Sequence, residues 1–395
     1  MLDIQMKRAL LINLVLLTVL SPLTGHGQQR VLNILYTGSI QGELEPCGCS
    51  PKTDFGGLAR LSGYISENKK SLSPYLLIDA GNFSGDDTPQ GRLKTETLLK
   101  AYGVIGYDAV AFGKREKALQ DNFPSPVSKE NKVRVVADSP HYSRSVLINR
   151  NKLNIHISSN PESSEKGKIN ILLSDLPVSE LREIKGWDII INSSGELMEG
   201  PGRTGKTFMT AGYPKGKKLG ILTLYFDRSG KITDFSHRWQ PLGSNIKEDA
   251  AVRGVLNDYD SRVAMLLKED IKPLTEVKYL GAERCAECHQ PFVESWKKTK
   301  HASAISSLEH AGKSFDPECV ICHTVGFGEG GFYSMEATPG LANVQCEVCH
   351  GPGREHLADF EKPLNAITES VCLKCHTRDT SPDFSYKNYL EKVKH

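Results

Sequence analysis

The sequence predicts an α/β domain with helix-covered sheets, followed by a smaller domain that is mostly helical and rich in loops. Three observations carry this. Seven apolar, β-rich runs lie between Val31 and Phe226, separated by stretches of helix length. Asp249 to Lys268 then places apolar residues at helical spacing. Beyond it, a segment poor in apolar residues carries four copies of one pattern, C-x-x-C-H. With 395 residues, 39% hydrophobic and 24% charged, the chain has ordinary globular composition and room for two or three domains.

In chain order, Met1 to Arg8 carries Lys7 and Arg8, Ala9 to Leu20 is apolar, and small residues follow to Gly27. A basic start, an apolar run too short to span comfortably and a small-residue region read as a secretory signal peptide over residues 1–27. An uncleaved anchor is the alternative. No Cys follows the run, so lipid anchoring has no support, and no second span is visible. The mature chain is therefore expected to be exported, in the periplasm, with no membrane span.

Residues 28–245 hold the seven runs: Val31–Tyr36, Tyr75–Asp79, Asp108–Phe112, Val133–Val136, Ile169–Leu173, Asp188–Ile191 and Leu219–Phe226. Such runs can bury a core without any cofactor. Their landmarks resemble, in order, the calcineurin-like metallophosphoesterases, in the branch containing periplasmic 5′-nucleotidases. Ile34 to Pro46 is similar to the first metal loop, Gly56 to Arg60 to the helix start after it, Leu76 to Asn82 to the second loop, and Tyr107 to Glu116 to the third. The resemblance covers Val31 to Phe226 and implies a four-layer metallophosphoesterase-like sandwich. Its metal ligands are replaced: Ser39 and Gln41 stand in the first loop, Asn82 in the second, Lys114 and Arg115 in the third, and Asp175, Ser194 and Glu196 at the later positions. Two divalent cations about 3.5–4 Å apart need carboxylates and imidazoles, and a Lys and an Arg would repel them. No dimetal centre is expected, and shared fold does not license shared chemistry.

Cys47-Gly48-Cys49 closes the first of these loops. It is a candidate redox pair or soft-metal site, and Gly48 lets the backbone bend so the thiols approach. The bland alternative is an inert disulfide of an exported protein. The segment resembles a 5′-nucleotidase-like subgroup in which the second Cys can be selenocysteine, which implies redox chemistry. Gly200 to Thr207 satisfies the phosphate-loop pattern, but the residues after it look extended, so it reads as a turn before a strand.

Residues 246–278 read as a connector: a helix with Val252, Val255, Leu256, Tyr259, Val263 and Leu266 on one face, then a short linker with Pro273. Residues 279–395 form the second domain. Its motifs are Cys285/Cys288/His289, Cys319/Cys322/His323, Cys346/Cys349/His350 and Cys372/Cys375/His376. In C-x-x-C-H the thiols add across the haem vinyl groups and the His ligates the iron, so four c-type haems are expected. Zinc ribbons share the C-x-x-C spacing but do not require the His. With 12 His in 395 residues, four such coincidences arise by chance about once in a million. Roughly 117 residues hold too few apolar side chains for a core, so the porphyrins are expected to be the core.

The domain has four further histidines, His301, His310, His356 and His395, which would complete bis-His ligation of all four irons; Met335 is the internal alternative ligand. Trp296 to Ala302 and Cys349 to His356, with Phe315 to Cys319 and Thr338 to Cys346, resemble the multihaem cytochrome c family typified by the tetrahaem acceptor of hydroxylamine oxidoreductase. That resemblance implies His301 and His356 as distal ligands. His395 is exposed to fraying at the chain end, His310 has the least support, and one haem with an open face stays possible. The formal charge of +2 gains about eight negative charges from haem propionates, which excludes a polybasic nucleic-acid binder. The leading expectation is an electron carrier serving other redox proteins of a periplasmic chain. The alternatives are an oxidoreductase acting at an open haem or at Cys47/Cys49, and a 5′-nucleotidase-like phosphoesterase.

Overall fold

The computed structural model describes residues 30–119, 122–123, 133–196, 198, 201–270 and 277–395, with side chains as far as residue 266 in the helix that ends at 270. The expected signal peptide and most of the expected linker lie outside the described residues. Among the described residues, twelve strands form two sheets of six. The first takes β1 (Arg30–Thr37), β2 (Tyr75–Asp79), β3 (Ala109–Ala111), β4 (Val135–Val136), β11 (Lys218–Phe226) and β12 (Ile232–Pro241). The second takes β5 (Ser145–Arg150), β6 (Leu153–Ser158), β7 (Ile169–Ser174), β8 (Ile189–Asn192), β9 (Gly202–Thr204) and β10 (Thr207–Ala211). β1 to β4 run parallel, with β11 and β12 added antiparallel at one edge. β6, β7, β8 and β10 run parallel between antiparallel edges β5 and β9.

Alternation along the strands explains the layering. Leu32, Ile34, Leu76, Ile78, Ile171, Leu173, Ile189 and Ile191 point into one cluster shared by both sheets. Their neighbours Leu35 and Leu77 point the other way, into a cluster with helices α1 (Leu58–Glu67) and α2 (Pro89–Ile105). Leu172 and Ile190 pack outward on Leu181 and Trp187. The order is helix, sheet, sheet, helix: the metallophosphoesterase-like sandwich that the sequence suggests. All seven expected strands are present. The hairpin β5–β6, the short β9 and the edge strand β12 were not expected. Gly205, at φ 62°, turns β9 back onto β10, so the phosphate-loop pattern sits in a hairpin with no helix after it.

The helix read as a connector is part of this core. α3 (Ala250–Asp270) buries Val252, Leu256, Tyr259 and Val263 in the same cluster as Leu98 and Tyr102 of α2. Arg262 clasps Glu96 with both guanidinium nitrogens, at 2.7 and 2.9 Å.

The second domain is helical and loop-rich. Ala282–Trp296, Ala304–Ala311 and Pro317–His323 are its longer helices, and its buried cluster is small: Tyr279, Ile305, Leu308, Val320, Val325, Phe332, Leu341 and Ala342. From Arg354 to His395 no residue is buried. Among the described residues no helix is long and apolar enough to cross a membrane.

Leu256→Ala is expected to cost about 2–5 kcal/mol of first-domain stability, read as a lower midpoint in far-UV circular dichroism under urea. A change below about 0.5 kcal/mol would show α3 to be a mere linker.

Candidate haem centres and the neighbouring loops

Each C-x-x-C pair falls on a helical turn, which puts the two thiols on one face. Cys285 and Cys288 lie in helix Ala282–Trp296, whose backbone kinks at His289 (φ −119°). Asp316 caps the helix of the second motif, its Oδ1 accepting from Glu318 N at 3.0 Å. Cys346 to His350 form one short helix, and the fourth motif follows helix Glu369–Cys372. The motifs meet in pairs. Cys285 and Cys346 face each other closely enough to interact, as do Cys322 and Cys375.

The first pair is held by two buried polar residues between the motifs. Glu347 Oε2 accepts from Leu280 N and Gly281 N, both at 2.8 Å, and its Oε1 accepts from Gly353 N at 2.8 Å. Gln345 Oε1 accepts from Ala282 N at 2.6 Å. The contacts to Gly281 N and Ala282 N satisfy the first donors of the helix that carries motif one, using Glu347 of motif three and Gln345 just before it.

The imidazoles pair across motifs. His289 faces His356 with ring centres 6.2 Å apart, His376 faces His301 at 6.1 Å, and His350 faces His395 at 6.1 Å. Metal–nitrogen bonds of about 2 Å, plus about 1.2 Å from nitrogen to ring centre, place two rings sharing one metal roughly 6 Å apart. Among the described residues no imidazole stands opposite His323 at this spacing. His310 instead donates Nδ1–H to Ser306 O of its own helix, at 2.6 Å. Three rings have their tautomer set by a carbonyl that only accepts: His323 to Ala304 O at 2.7 Å, His356 to Lys362 O at 2.8 Å and His395 to Val393 O at 3.1 Å. That leaves Nε2 as the lone-pair nitrogen. Burial pushes His301, His350 and His376 below the ordinary imidazole value, which favours the neutral, ligating form.

These residues fit covalent haem. Apolar surface is available where a macrocycle would lie: Phe292, Phe315, Ile321, Met335, Phe360, Leu364 and Leu373 are all exposed. A cavity of about 230 Å³ opens beside Val320 of the second motif, lined by Phe315, Phe327, Phe332 and Met335, with Ala264 of α3 on its far wall. Among the described residues no three His, Cys, Asp or Glu side chains converge on a single ion site.

The positions matched to phosphoesterase ligands converge at the strand ends, held by hydrogen bonds to one another. Ser39 Oγ and Asn82 Nδ2 both donate to Ser193 O, at 2.7 and 2.6 Å. Asn82 Oδ1 accepts from Arg115 N at 3.0 Å, and Asp175 accepts from Lys114 N. Ser39, Gln41 and Asn82 have φ of 56°, 57° and 54°, a left-handed conformation uncommon for such residues. Gly38 and Gly212 make this crossing possible, since a Cβ on Gly212 would lie 2.5 Å from Gly38 Cα. Arg115 is turned outward onto Ser84 O and Asp86, at 2.7 Å each. Cys47 and Cys49 are disulfide-bonded and exposed, with Cα atoms 5.3 Å apart.

Sequence reasoning did not single out Gln345, Glu347, Lys313 or Asp379. Glu347 lies inside a motif, where it reads as a filler position, and only its burial reveals the role.

Residues 284–351 match the family model described as cytochrome c554 and c-prime, a stretch that contains the first three motifs. Cytochrome c-554 of Nitrosomonas europaea is 36% identical over 111 residues, covering 24% of this chain and 47% of that protein. The snake venom 5′-nucleotidase of Gloydius brevicauda is 24% identical over 301 residues, covering 57% of this chain and 50% of that protein. The 5′-nucleotidase precursor of Thermus thermophilus superposes with a TM-score of 0.53 at 15% identity, covering 72% of this chain and 68% of that one. The chain thus spans about half the length of the curated relatives it matches. It joins a phosphoesterase-like fold to a cytochrome c554-type region, and the second implies c-type haem iron.

Glu347→Ala would strand three backbone N–H groups, and a loss of roughly 3 kcal/mol or more is expected, followed by the haem absorption during urea unfolding. Glu347→Gln keeps one acceptor and is expected to lose less.

Proposed function

We propose that the protein is an exported electron carrier whose second domain holds four c-type haems and passes electrons between redox proteins of a periplasmic chain. The observation that carries this reading is the set of three imidazole pairs about 6 Å apart, each containing the His of a C-x-x-C-H motif. Each haem, when bound, supplies a one-electron iron couple. The chain's own residues fix how that couple behaves. The eight motif thiols tether the macrocycles, and His289, His323, His350 and His376 offer Nε2 from the motif side. His356, His395 and His301 would offer the second nitrogen to haems held at the first, third and fourth motifs. Burial favours the ligating form of His301, His350 and His376, and carbonyls orient His356 and His395, so these rings need little rearrangement. The pairing of motif one with three and of two with four brings neighbouring centres together, the requirement for passing electrons along a chain.

The phosphoesterase-like domain acts in this reading as a rigid docking platform. Its former ligand positions are engaged in protein hydrogen bonds, and hydrolysis is not proposed. A second reading follows from His323, which has no facing imidazole among the described residues. A haem held there would have no second imidazole, and the cavity near Val320 and Met335 would admit a small molecule beside it, which would make the protein an oxidoreductase.

Intact mass of the exported protein is expected to show four haem additions and loss of residues 1–27. His301→Ala, His356→Ala and His395→Ala are each expected to convert one low-spin centre to high-spin by electron paramagnetic resonance, while His310→Ala changes no signal. A spectral change in His310→Ala would overturn the pairing. Carbon monoxide is expected to bind about one quarter of the ferrous haem in the wild type, and no binding would remove the second reading.

A further inference from the structure

The loop carrying Cys47 and Cys49 is gripped on both sides by the haem domain. On its N-terminal side Glu45 accepts from Lys313 Nζ at 2.8 Å, and Lys313 precedes the capped helix of the second motif. On its C-terminal side Thr53 Oγ1 donates to Asp379 O at 2.6 Å, and Lys52 Nζ meets Asp383 at 2.8 Å. Asp379 follows His376 of the fourth motif by three residues. The ring of His376 lies flat on Phe384 at 5.1 Å, one residue after Asp383. The loop around the disulfide is therefore held against the segment that leads into motif two and the segment that follows motif four. Cys47 lies two positions after Glu45, with only Pro46 between them, a reach of at most about 7 Å. A structural clip is a poor account of this bond, because closing so short a loop constrains the unfolded chain least. Both cysteines face solvent.

We propose that Cys47 and Cys49 form a two-electron relay served by the haems of the second and fourth motifs. This deepens the proposed function and rests on its haem assignment. In the reducing direction two ferrous haems each give one electron, solvent gives two protons, the S–S bond breaks and two thiols form, leaving two ferric haems. The reverse returns two electrons to the haems and two protons to water. The pair thus joins one-electron carriers to a solvent-facing thiol–disulfide couple, whose external partner is a thiol or disulfide compound.

The test is coulometric titration of the full-length holoprotein through redox mediators, with iodoacetamide trapping and intact mass at each poise. Eight of the ten cysteines are thioether-linked in the holoprotein, so any alkylation reports Cys47 and Cys49. The expected result is about six electrons per chain and two alkyl additions on reduction, against about four electrons and none for the double variant Cys47→Ser, Cys49→Ser. Thr53→Val, which keeps both cysteines and loosens the clamp, is expected to keep the count and slow thiol appearance by roughly tenfold, about the effect of one lost hydrogen bond. A wild type that takes about four electrons with the disulfide intact would overturn the relay. So would thiol appearance at the same rate in Thr53→Val. Fewer than four haem additions in the starting mass would instead overturn the haem assignment, so the two failures are distinguishable.

Discussion

The second domain cannot hold its shape by burying its own side chains. From Arg354 to His395 no residue is buried, although the segment folds into helices and turns. Backbone ordering costs about 1–2 kcal/mol per residue, and local hydrogen bonds alone do not offset it. The apolar surface that must be covered is instead spread over Phe360, Leu364 and Leu373 around the motif cysteines. In the proposed reading, covalent macrocycles would supply the missing apolar volume, and the imidazole pairs His301 with His376 and His350 with His395 would each link distant parts of the chain. Folding and haem attachment would then be coupled, as in small metal-dependent domains.

The first domain has the opposite economy of structure, with three apolar clusters on the faces of two sheets and a core complete without cofactor. Its loops at the strand ends keep a tight left-handed backbone at Ser39, Gln41 and Asn82, while the Ser39 and Asn82 side chains both donate to Ser193 O. Glu116, buried, ties the second and third loops by accepting from Asn82 N, Ser84 N and Gly113 N. These bonds tie the loops at the strand ends to one another, and the loop from Glu45 to Thr53 beside them is held against the second domain.

Much of this was legible in the sequence wherever burial runs in long apolar stretches. β1, β2, β7, β8 and β11 are buried on both faces and read as continuous runs. The hairpin β5–β6 was not, because its turn is Asn151-Lys152, both at positive φ, in place of an Asn-Gly signal. β12 was missed because it is an edge strand whose Thr, Asp, Ser, His and Arg residues leave no apolar run. The motif thiols and proximal histidines were plain from spacing, whereas the choice among His301, His310, His356 and His395 depends on tertiary geometry. No local pattern distinguishes His310, whose ring turns back onto its own helix, from the three that face a partner.

The contact between the domains is polar, and its chemistry decides how firmly the two act together. Asp379 receives Lys215 and Lys217 at 2.8 and 2.7 Å, and their charges push its carboxyl down to about 2. A carboxylate lowered in the folded protein contributes stability that is complete above its unfolded value near 3.9 and fades only as pH falls toward 2. Neutral and mildly acidic solutions therefore leave this contact intact. These side chains are partly exposed, however, so salt screens them and each pair contributes little alone. What makes the contact specific is that the ion pairs flank hydrogen bonds from uncharged donors: Thr53 to the Asp379 carbonyl on one side, and Gln90 to the Asp316 carboxylate at 2.9 Å on the other. Asp316 caps the helix of the second motif, and Asp379 trails the fourth. The first domain thus grips the segments flanking the second and fourth motifs, and it does so through groups whose geometry, more than their charge, sets the register between the Cys47–Cys49 loop and those segments.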